Sequence, residues 1–156
     1  YNFSLMLLRP YIPEDLHDVA QIRATDWGTQ EYWEKRINAY INLRQSPQSA
    51  KESRAIWVAI EEHETIGMIA GHLTNRFGCQ GELQWVHVRQ DLRGKQIAHR
   101  LFGKLTSWFI SVNAFKICVN VEPDNISAIR FYEKQGAHPI RRQTHWMIWD
   151  DIRVNA

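Results

Sequence analysis

Residues 81–112 read GELQWVHVRQDLRGKQIAHRLFGKLTSWFISV, a strand pattern followed directly by a helix pattern. Its first nine residues are rich in β-branched and aromatic side chains, which favours a strand that ends near Val88. From residue 95 onward, apolar side chains recur at intervals of three and four, which predicts a long amphipathic helix. The apolar positions are Ile97, Leu101, Leu105, Trp108, Phe109 and Val112. A strand joined by a short turn to a helix predicts a sheet with helices packed on it.

The rest of the chain carries similar patterns on both sides of this stretch. Alternation and apolar runs predict further strands over residues 4–10, 54–62, 65–74, 115–122, 138–143 and 145–154. Helical spacing and capping residues predict further helices over residues 12–27, 29–45 and 125–136. The predicted order is β-α-α-β-β-β-α-β-α-β-β, with an antiparallel meander at its centre. This order predicts an α/β fold with one mixed sheet and helices on both faces.

The composition is that of an ordinary soluble globular domain. Of the 156 residues, 44% are hydrophobic and 23% are charged, and the net charge is +2. The polar segment 44–53 is too short for a domain linker, so we expect a single domain over residues 1–156. Such a balanced charge argues against a nucleic-acid partner. No apolar run approaches the ~20 residues of a membrane helix, so no membrane association is predicted.

The cysteines and histidines bear on the redox environment and on metal binding. Cys79 and Cys118 lie far apart in the sequence and form no CxxC pair, which is typical of a reduced, cytoplasmic protein. The seven histidines show neither HxxxH nor HExxH spacing. No metal site is therefore predicted.

The turn before the long helix has the composition of an anion site. Gly94 permits close approach of the backbone to a ligand, and Arg93 and Lys95 add positive charge. The first turn of a helix also presents unpaired N–H groups and a partial positive charge. These features favour binding of a pyrophosphate. The alternative is a plain strand-to-helix turn, since neither GxGxxG nor GxxxxGK(S/T) is present.

A second stretch, EPDNISAIRFYEKQGAHPI at residues 122–140, predicts a short helix with a signal at each end. Asn125 suits the N-cap, and Gly136 suits the C-terminal stop. Tyr132 falls on the same side of this helix as the apolar residues of the preceding turn. Tyr132 is therefore either a functional phenol or a packed aromatic side chain.

Three segments together resemble the GNAT superfamily of acetyl-CoA-dependent N-acetyltransferases. Residues 93–102, RGKQIAHRLF, are similar to the RGxGIGxxLL cofactor loop of that family, and residues 125–137, NISAIRFYEKQGA, are similar to its NxxAxxFYxxxGF motif. Residues 8–22, LRPYIPEDLHDVAQI, are similar to its first strand and helix. The resemblance covers nearly the whole chain in element order. It implies a V-shaped gap between the fourth and fifth strands, in which acetyl-CoA binds.

The resemblance also implies which residues hold acetyl-CoA. The backbone of the fourth strand would bind the pantetheine arm, and the loop with the helix start would bind the pyrophosphate. The strand residues are Val86, His87 and Val88, and the loop and helix residues are Arg93, Gly94, Lys95, Gln96, Ile97, Ala98 and His99. Asn125 would contact the pantetheine or help to splay the two strands.

Two positions of the loop depart from the family pattern. Asp91 stands where the family has Gln or Arg, and we expect its carboxylate to repel phosphate if it points inward. Gln96 stands at the second glycine of the pattern. Its N–H still serves an anion, unless the position requires a positive φ, which favours glycine.

Two residues are candidates for proton transfer. Tyr132 matches the family's usual general acid, near the thioester sulfur. Glu82 stands where some members carry a catalytic glutamate, and we expect it to take a proton from the amine, directly or through water. Strand alternation would put Glu82 on one face with Gln84, Val86 and Val88. The alternative for Glu82 is a solvated carboxylate at the end of the strand.

The predicted reaction is direct transfer of an acetyl group from acetyl-CoA to a primary amine of a small molecule or a protein N-terminus. In the family, the acceptor lies near the first two helices, where Asp26, Trp27 and Glu31 suit a cationic amine. The alternative is a non-catalytic acyl-CoA-binding module on the same fold. Trp146 and Trp149 make the last strand a candidate for a homodimer contact.

Overall fold

A computed structural model describes residues 5–44 and 46–156, and its elements follow the predicted order. The seven strands are β1 (Met6–Pro10), β2 (Ala50–Glu61), β3 (Glu64–Thr74), β4 (Gly81–Val88), β5 (Ile117–Asn120), β6 (His138–Ile140) and β7 (Gln143–Trp149). The four α-helices are α1 (Leu16–Asp26), α2 (Gln30–Ile41), α3 (Ile97–Ser111) and α4 (Ile126–Lys134). Ser4 of the first predicted strand and Gln45 of the second predicted helix lie outside the described residues.

The strands form one sheet in the order β1-β2-β3-β4-β5-β7-β6. Every neighbouring pair is antiparallel except β4 and β5, which run parallel. One apolar cluster packs α1 and α2 against the sheet, and a second packs α3 and α4. The predicted mixed sheet with helices on both faces is confirmed. Within residues 5–44 and 46–156, no helix has both the length and the apolar character needed to cross a lipid bilayer.

The helix α3 supplies the centre of the larger cluster. Four positions of its predicted apolar stripe are at most 1% exposed, and full burial of such side chains contributes roughly 1.5–3 kcal/mol each. These positions are Ile97, Leu101, Leu105 and Phe109. Gly81 of β4 lies against this helix, because a Cβ there would come within 2.5 Å of the Phe109 ring. A side chain at position 81 would therefore displace the ring from the core.

A gap opens between β4 and β5. The two strands pair only where residues 81–83 meet residues 117–119. Beyond Leu83, β4 continues for five residues, and no strand of the described chain pairs with it on that side. The implied splay between the fourth and fifth strands is therefore present in the structure.

A β-bulge at Gln84 lies at the start of this gap. In the pairing of β3 with β4, Trp85 lies opposite Ala70 and Leu83 lies opposite Gly71, which leaves Gln84 as the extra residue. The extra residue reverses the alternation, so Leu83 packs with α3 and Trp85 packs with α1 and α2. The prediction that Glu82, Gln84, Val86 and Val88 share one face is therefore wrong. Glu82 lies on the α2 side, and Val86 lies on the α3 side.

The last strand does not form an edge of the sheet, because β7 lies between β5 and β6. Trp149 is 1% exposed and donates its indole N–H to the carbonyl of Gln135 at 3.0 Å. Trp149 is therefore core, and the prediction that it contributes to a dimer contact is wrong. Trp146 is half-buried and packs edge-on against Phe77.

The fold also brings together the two cysteines. Cys79 precedes β4 and Cys118 lies within β5, yet both are buried in one small cluster with Ile148. The parallel pairing of these strands places the thiols side by side. The pKa of the Cys118 thiol is raised, first by its hydrogen bond with Cys79 and then by burial.

Candidate functional site

The start of α3 is open and lacks a side-chain cap. Gly94 has φ +81° and Gln96 has φ +68°, and the helix begins at Ile97. The Gln96 side chain makes no hydrogen bond to the first turn of the helix. A Cβ at position 94 would meet nothing within 4 Å, so the space above the turn is free. A 15-residue helix with this N-terminus can accept an anion on its first N–H groups.

Gln96 occupies backbone geometry that favours glycine. The φ of +68° lies in the left-handed region, which costs a residue with a Cβ roughly 1–2 kcal/mol. The sequence left open whether this position needs a positive φ, and the structure shows that it does. Gln96 therefore keeps its N–H for a ligand at the cost of local strain.

Substitutions at Gln96 should rank by their tolerance of positive φ. We expect Gln96→Gly to raise the unfolding midpoint by about 2–4 °C, which corresponds to relief of about 1 kcal/mol. Gln96→Val should lower the midpoint, because a β-branched residue tolerates this region least. Thermal unfolding followed by circular dichroism measures both changes. Equal midpoints for the three proteins would contradict a strained Gln96.

The carboxylate of Asp91 is paired with Arg89 and is not a free negative charge beside this turn. Its carboxylate accepts hydrogen bonds from Arg89 Nε at 2.7 Å and from Arg89 Nη2 at 3.2 Å. The bond with Arg89 holds the pKa of Asp91 below its usual range. Both side chains are exposed, and Arg89 also binds Glu64 at 2.9 Å. The repulsion expected from an inward Asp91 is therefore offset by its own guanidinium partner.

The backbone of β4 presents only some of its groups to the gap. The N–H of Arg89 donates to the carbonyl of Ile66 on β3. Alternation then directs the N–H and C=O of His87 toward β3 as well, and those of Val86 and Val88 toward the gap. The backbone of His87 is therefore occupied by the sheet. The Val88 carbonyl already accepts Arg93 Nε at 3.1 Å, which leaves Val86 and the Val88 N–H open.

The side chain of His87 joins a charged cluster on the α1 side of the sheet. Its Nε2 lies 2.7 Å from Asp26 Oδ2, and its Nδ1 lies 3.2 Å from Arg23 Nη1. Arg93 Nη2 also donates to Asp26 Oδ2 at 2.7 Å. The charge of Asp26 is thus balanced by Arg93, and Arg93 binds protein groups through the atoms expected to face a pyrophosphate.

His87 is held in its neutral form. Burial and the charge of Arg23 lower its pKa to about 4, and the charge of Asp26 opposes this shift. Because the unfolded chain has the ordinary value of about 6.5, it binds more protons than the folded chain between these two pH values. The contribution of His87 to stability is therefore full above pH ~6.5 and is lost as the pH falls toward 4.

We expect the unfolding free energy to decline between pH 6.5 and 4 by a few kcal/mol more in the wild type than in His87→Gln, since one pKa unit corresponds to about 1.4 kcal/mol. Urea unfolding at each pH measures the difference. The control is His63→Gln, which removes an exposed histidine from the β2–β3 turn and should leave the decline unchanged. If the unfolding free energy of His87→Gln declined with pH as steeply as that of the wild type, the lowered pKa of His87 would not be the cause.

Tyr132 lies on the α3–α4 side of the sheet. It lies on α4, is 6% exposed and packs edge-on against Trp149, with ring centroids 5.8 Å apart. Burial raises the pKa of Tyr132, and the positive charge of Arg23 on α1 opposes that rise. Since α1 and α4 lie on opposite faces of the sheet, the charge of Arg23 acts on the phenol from the other face. The phenol stays protonated at neutral pH.

The carboxylate of Glu82 is buried, so the alternative of a solvated strand end is wrong. Glu82 is 4% exposed and accepts Arg76 Nε at 3.1 Å. His72 Nε2 lies 3.7 Å from the same oxygen, and His72 Nδ1 lies 2.8 Å from the Tyr40 hydroxyl. These contacts make a continuous row from Arg76 to Tyr40. Residues 5–44 and 46–156 nevertheless hold no group of three metal-ligating side chains.

His72 and Tyr40 carry no motif that marks them as functional residues in the sequence. The available signal was a histidine inside the apolar run TIGMIAGHLT, residues 65–74, which predicts a strand. His72 is completely buried, and its Nε2 has no hydrogen-bond partner in the described chain. A buried imidazole without a full set of partners is uncommon outside functional sites.

A cavity of about 110 Å³ lies on the α2 side of the bulge. Its lining residues come from α2, the following loop and β4, namely Arg36, Tyr40, Ser46, Pro47, Gln84 and Trp85. The row of buried groups that begins at Glu82 therefore ends in the wall of this cavity, at Tyr40. The predicted acceptor residues lie outside the lining.

The remaining predicted site residues have structural partners. Glu31 pairs with Lys35 on the surface of α2, and Trp27 is 57% exposed and packs on Trp33. Asn125 caps α4, because its side-chain oxygen accepts the N–H of Ala128 at 3.2 Å.

Beside the open turn, α3 also contacts α4. The side chain of His99 contacts Gln135 of the α4 end at 3.1 Å. Ile97 is buried and Ala98 is half-buried, whereas Lys95 is exposed. At Ile97, Ala98 and His99, the N–H groups of the first helical turn are therefore what α3 offers to an anion.

Comparison with known proteins gives a family match and several fold matches. Residues 15–137 match the family described as Acetyltransferase (GNAT) family, and no curated protein matches the chain. An acetyltransferase from Thermus thermophilus is 15% identical, with a TM-score of 0.71 over 92% of this chain and 96% of that chain. PaiA N-acetyltransferase from Thermoplasma acidophilum, in complex with coenzyme A, is 16% identical, with a TM-score of 0.67 over 92% and 96%. Arabidopsis thaliana NAA60, in complex with a bisubstrate analogue, is 16% identical, with a TM-score of 0.66 over 92% and 97%. At these identities the likenesses show the fold.

Proposed function

Because the chain belongs to the GNAT acetyltransferase family, we propose that it transfers an acetyl group from acetyl-CoA directly to a primary amine of a small molecule or a protein N-terminus. The observation that carries the proposal is the gap between β4 and β5. The open start of α3 lies at the end of β4. We place the Tyr132 hydroxyl at this gap, because the residue matches the family's general acid and the charge of Arg23 acts on it from the opposite face of the sheet. One ligand with a pyrophosphate at one end and a thioester at the other fits this arrangement.

The chain holds acetyl-CoA mainly through its backbone. The N–H groups from Gly94 to His99 bind the pyrophosphate oxygens, where the α3 dipole adds to the attraction. The open N–H and C=O of Val86 pair with the amides of the pantetheine arm, as a neighbouring strand would. The N–H of Val88 stabilises charge on the thioester carbonyl oxygen. Acetyl-CoA supplies the activated acyl group, and the chain supplies its position.

The amine must lose a proton before or during attack. Tyr40 takes that proton while its own hydroxyl proton moves to His72 Nδ1, and His72 passes its Nε2 proton to Glu82. The 3.7 Å separation of His72 and Glu82 must shorten for the last transfer, as such contacts do when substrate binds. Arg76 holds the Glu82 carboxylate in place. After the product leaves, proton exchange with solvent restores the starting protonation states of Tyr40, His72 and Glu82.

Tyr132 stabilises the leaving sulfur. The ordinary pKa values are about 8.5 for a thiol and 10 for tyrosine, so full proton donation is uphill by about 2 kcal/mol before burial raises it further. A hydrogen bond that strengthens as charge grows on sulfur is therefore the favoured role, and the proton transfers late. This role needs only the hydroxyl within reach of the gap.

Two measurements test the proposal. Coenzyme A should raise the unfolding midpoint of the chain, because a ligand that binds only the folded state stabilises it. A panel of primary amines with acetyl-CoA should release free thiol with at least one of them. Protection without turnover of any amine would favour the alternative of a non-catalytic acyl-CoA-binding module. Absence of both would overturn the proposed function.

A further inference from the structure

The cavity beside the bulge contains a guanidinium and no carboxylate. Its lining includes Arg36, and the other five lining residues carry no charge. We propose that the acceptor is a small amine that also carries a carboxylate, and that Arg36 binds this carboxylate. The inference rests on the proposed function, since it assigns the substrate class of the same site.

Arg36 has few partners of its own. Its Nη1 donates a long hydrogen bond of 3.4 Å to the Tyr32 hydroxyl, and its Nε is buried without a partner in the described chain. The guanidinium carbon lies 5.9 Å from the Trp85 ring and 6.0 Å from the Trp33 ring. A guanidinium held between aromatic rings, with N–H donors still open, can donate two parallel hydrogen bonds to the oxygens of a carboxylate.

Two further arginines extend the positive charge around Arg36. Arg23 lies 4.2 Å above the Trp33 ring, and Arg54 lies 4.3 Å above the Tyr40 ring. Arg54 also donates to Ser46, which lines the cavity, at 2.7 Å. Throughout residues 5–44 and 46–156, none of these three guanidinium groups lies within 4.0 Å of a carboxylate oxygen.

The acidic residues that the sequence favoured for the acceptor, and Glu82, already have basic partners. Asp26 binds His87 and Arg93, and Glu31 binds Lys35. Glu82 is buried against Arg76. A polyamine would find no free carboxylate in this cavity, whereas an anion would find a guanidinium. The sequence favoured a cationic acceptor held by acidic side chains. The cavity instead favours an acceptor with a negative group held by Arg36.

The size and polarity of the cavity fit a carboxylate with a few carbons. Its volume of about 110 Å³ equals the volume that roughly four molecules occupy in liquid water. The Trp85 and Tyr40 rings line the walls, and the Gln84 amide oxygen has no hydrogen-bond partner in the described chain. The cavity thus offers a donor for a carboxylate and apolar walls beside it.

The experiment compares carboxylated amines with their neutral counterparts. L-alanine and L-methionine are each assayed against L-alaninamide and L-methioninamide, with spermidine as the cationic acceptor. Because the amides have less basic amines, the wild type and Arg36→Gln are compared on every substrate. We expect Arg36→Gln to raise KM for the carboxylated amines at least tenfold and to leave KM for the amides within twofold. Arg36→Lys should recover part of the loss.

The matched control is Arg44→Gln, which removes an exposed charge just after α2 and outside the cavity. It should leave every KM within twofold of the wild-type value. A wild type that uses spermidine or the amides but neither amino acid would overturn the inference and leave the proposed function intact. Equal effects of Arg36→Gln on amino acids and amides would overturn it as well. No thiol release with any amine removes both proposals.

Discussion

Replacement of Tyr132 by phenylalanine is expected to lower kcat at least tenfold and to leave the dissociation constant of coenzyme A within twofold. The hydroxyl is the one polar group on a side chain that is otherwise packed in the core. Without it, the leaving sulfur has no donor from α4 as its charge develops, and a general acid contributes roughly 10²–10⁴-fold to such steps. Coenzyme A binds through the β4 backbone and the start of α3, so its affinity does not depend on the phenol.

Steady-state kinetics with a saturating amine and isothermal titration with coenzyme A separate these effects. The control is Tyr11→Phe, which removes the hydroxyl of a half-buried tyrosine in the segment after β1. That variant should keep the wild-type kcat. An unchanged kcat in Tyr132→Phe would remove the role assigned to Tyr132. A parallel loss of coenzyme A affinity would show that the hydroxyl contributes to cofactor binding before the reaction begins.

Glu82→Gln should lower kcat about 100-fold or more and preserve the fold. The amide oxygen of glutamine can still accept the hydrogen bond from Arg76, but glutamine cannot take a proton from His72. The row from Tyr40 to Glu82 then has no terminal acceptor, and the loss of a general base costs roughly 10²–10⁴-fold. The rate should recover in part at high pH, where more of the amine is neutral in solution.

The pH–rate profile and the unfolding midpoint distinguish this role from a structural one. Glu64→Gln is the control, because it removes an exposed carboxylate that pairs with Arg89 on the other side of β3. It should match the wild type in both measurements. A Glu82→Gln protein with normal kcat and a lowered midpoint would show that Glu82 only secures Arg76.

The order of the elements could be predicted because each one carries a local signal. The apolar stripe from Ile97 to Phe109 has helical spacing, and both Thr29 and Asn125 cap the helices that they were predicted to begin. Thr29 accepts the N–H of Tyr32, and Asn125 accepts that of Ala128. Such signals depend on residues a few positions apart. The family resemblance added the gap between β4 and β5, which no periodicity predicts.

The bulge at Gln84 could not be predicted from alternation. Both faces of β4 are buried, and apolar and polar residues stand at odd and even positions alike, so a one-residue shift leaves no mark in the sequence. The contacts of the acidic residues depend on distant partners. Asp26 meets Arg93 across 67 positions, which no local pattern reports. For this reason the sequence favoured an acidic surface for the acceptor, whereas the proposed acceptor site is a cavity with an arginine.

The short junction of β4 with β5 also divides the sheet mechanically. Only three residue pairs join the β1–β4 meander to the group of β5, β7 and β6, whereas β2 and β3 share nine. The junction is therefore a short seam in the sheet, and one apolar cluster, which includes both Leu83 and Ile117, packs across it. A ligand that spans the gap bridges this seam, so it does more than fill a groove: it joins two parts of the sheet that few strand pairs connect.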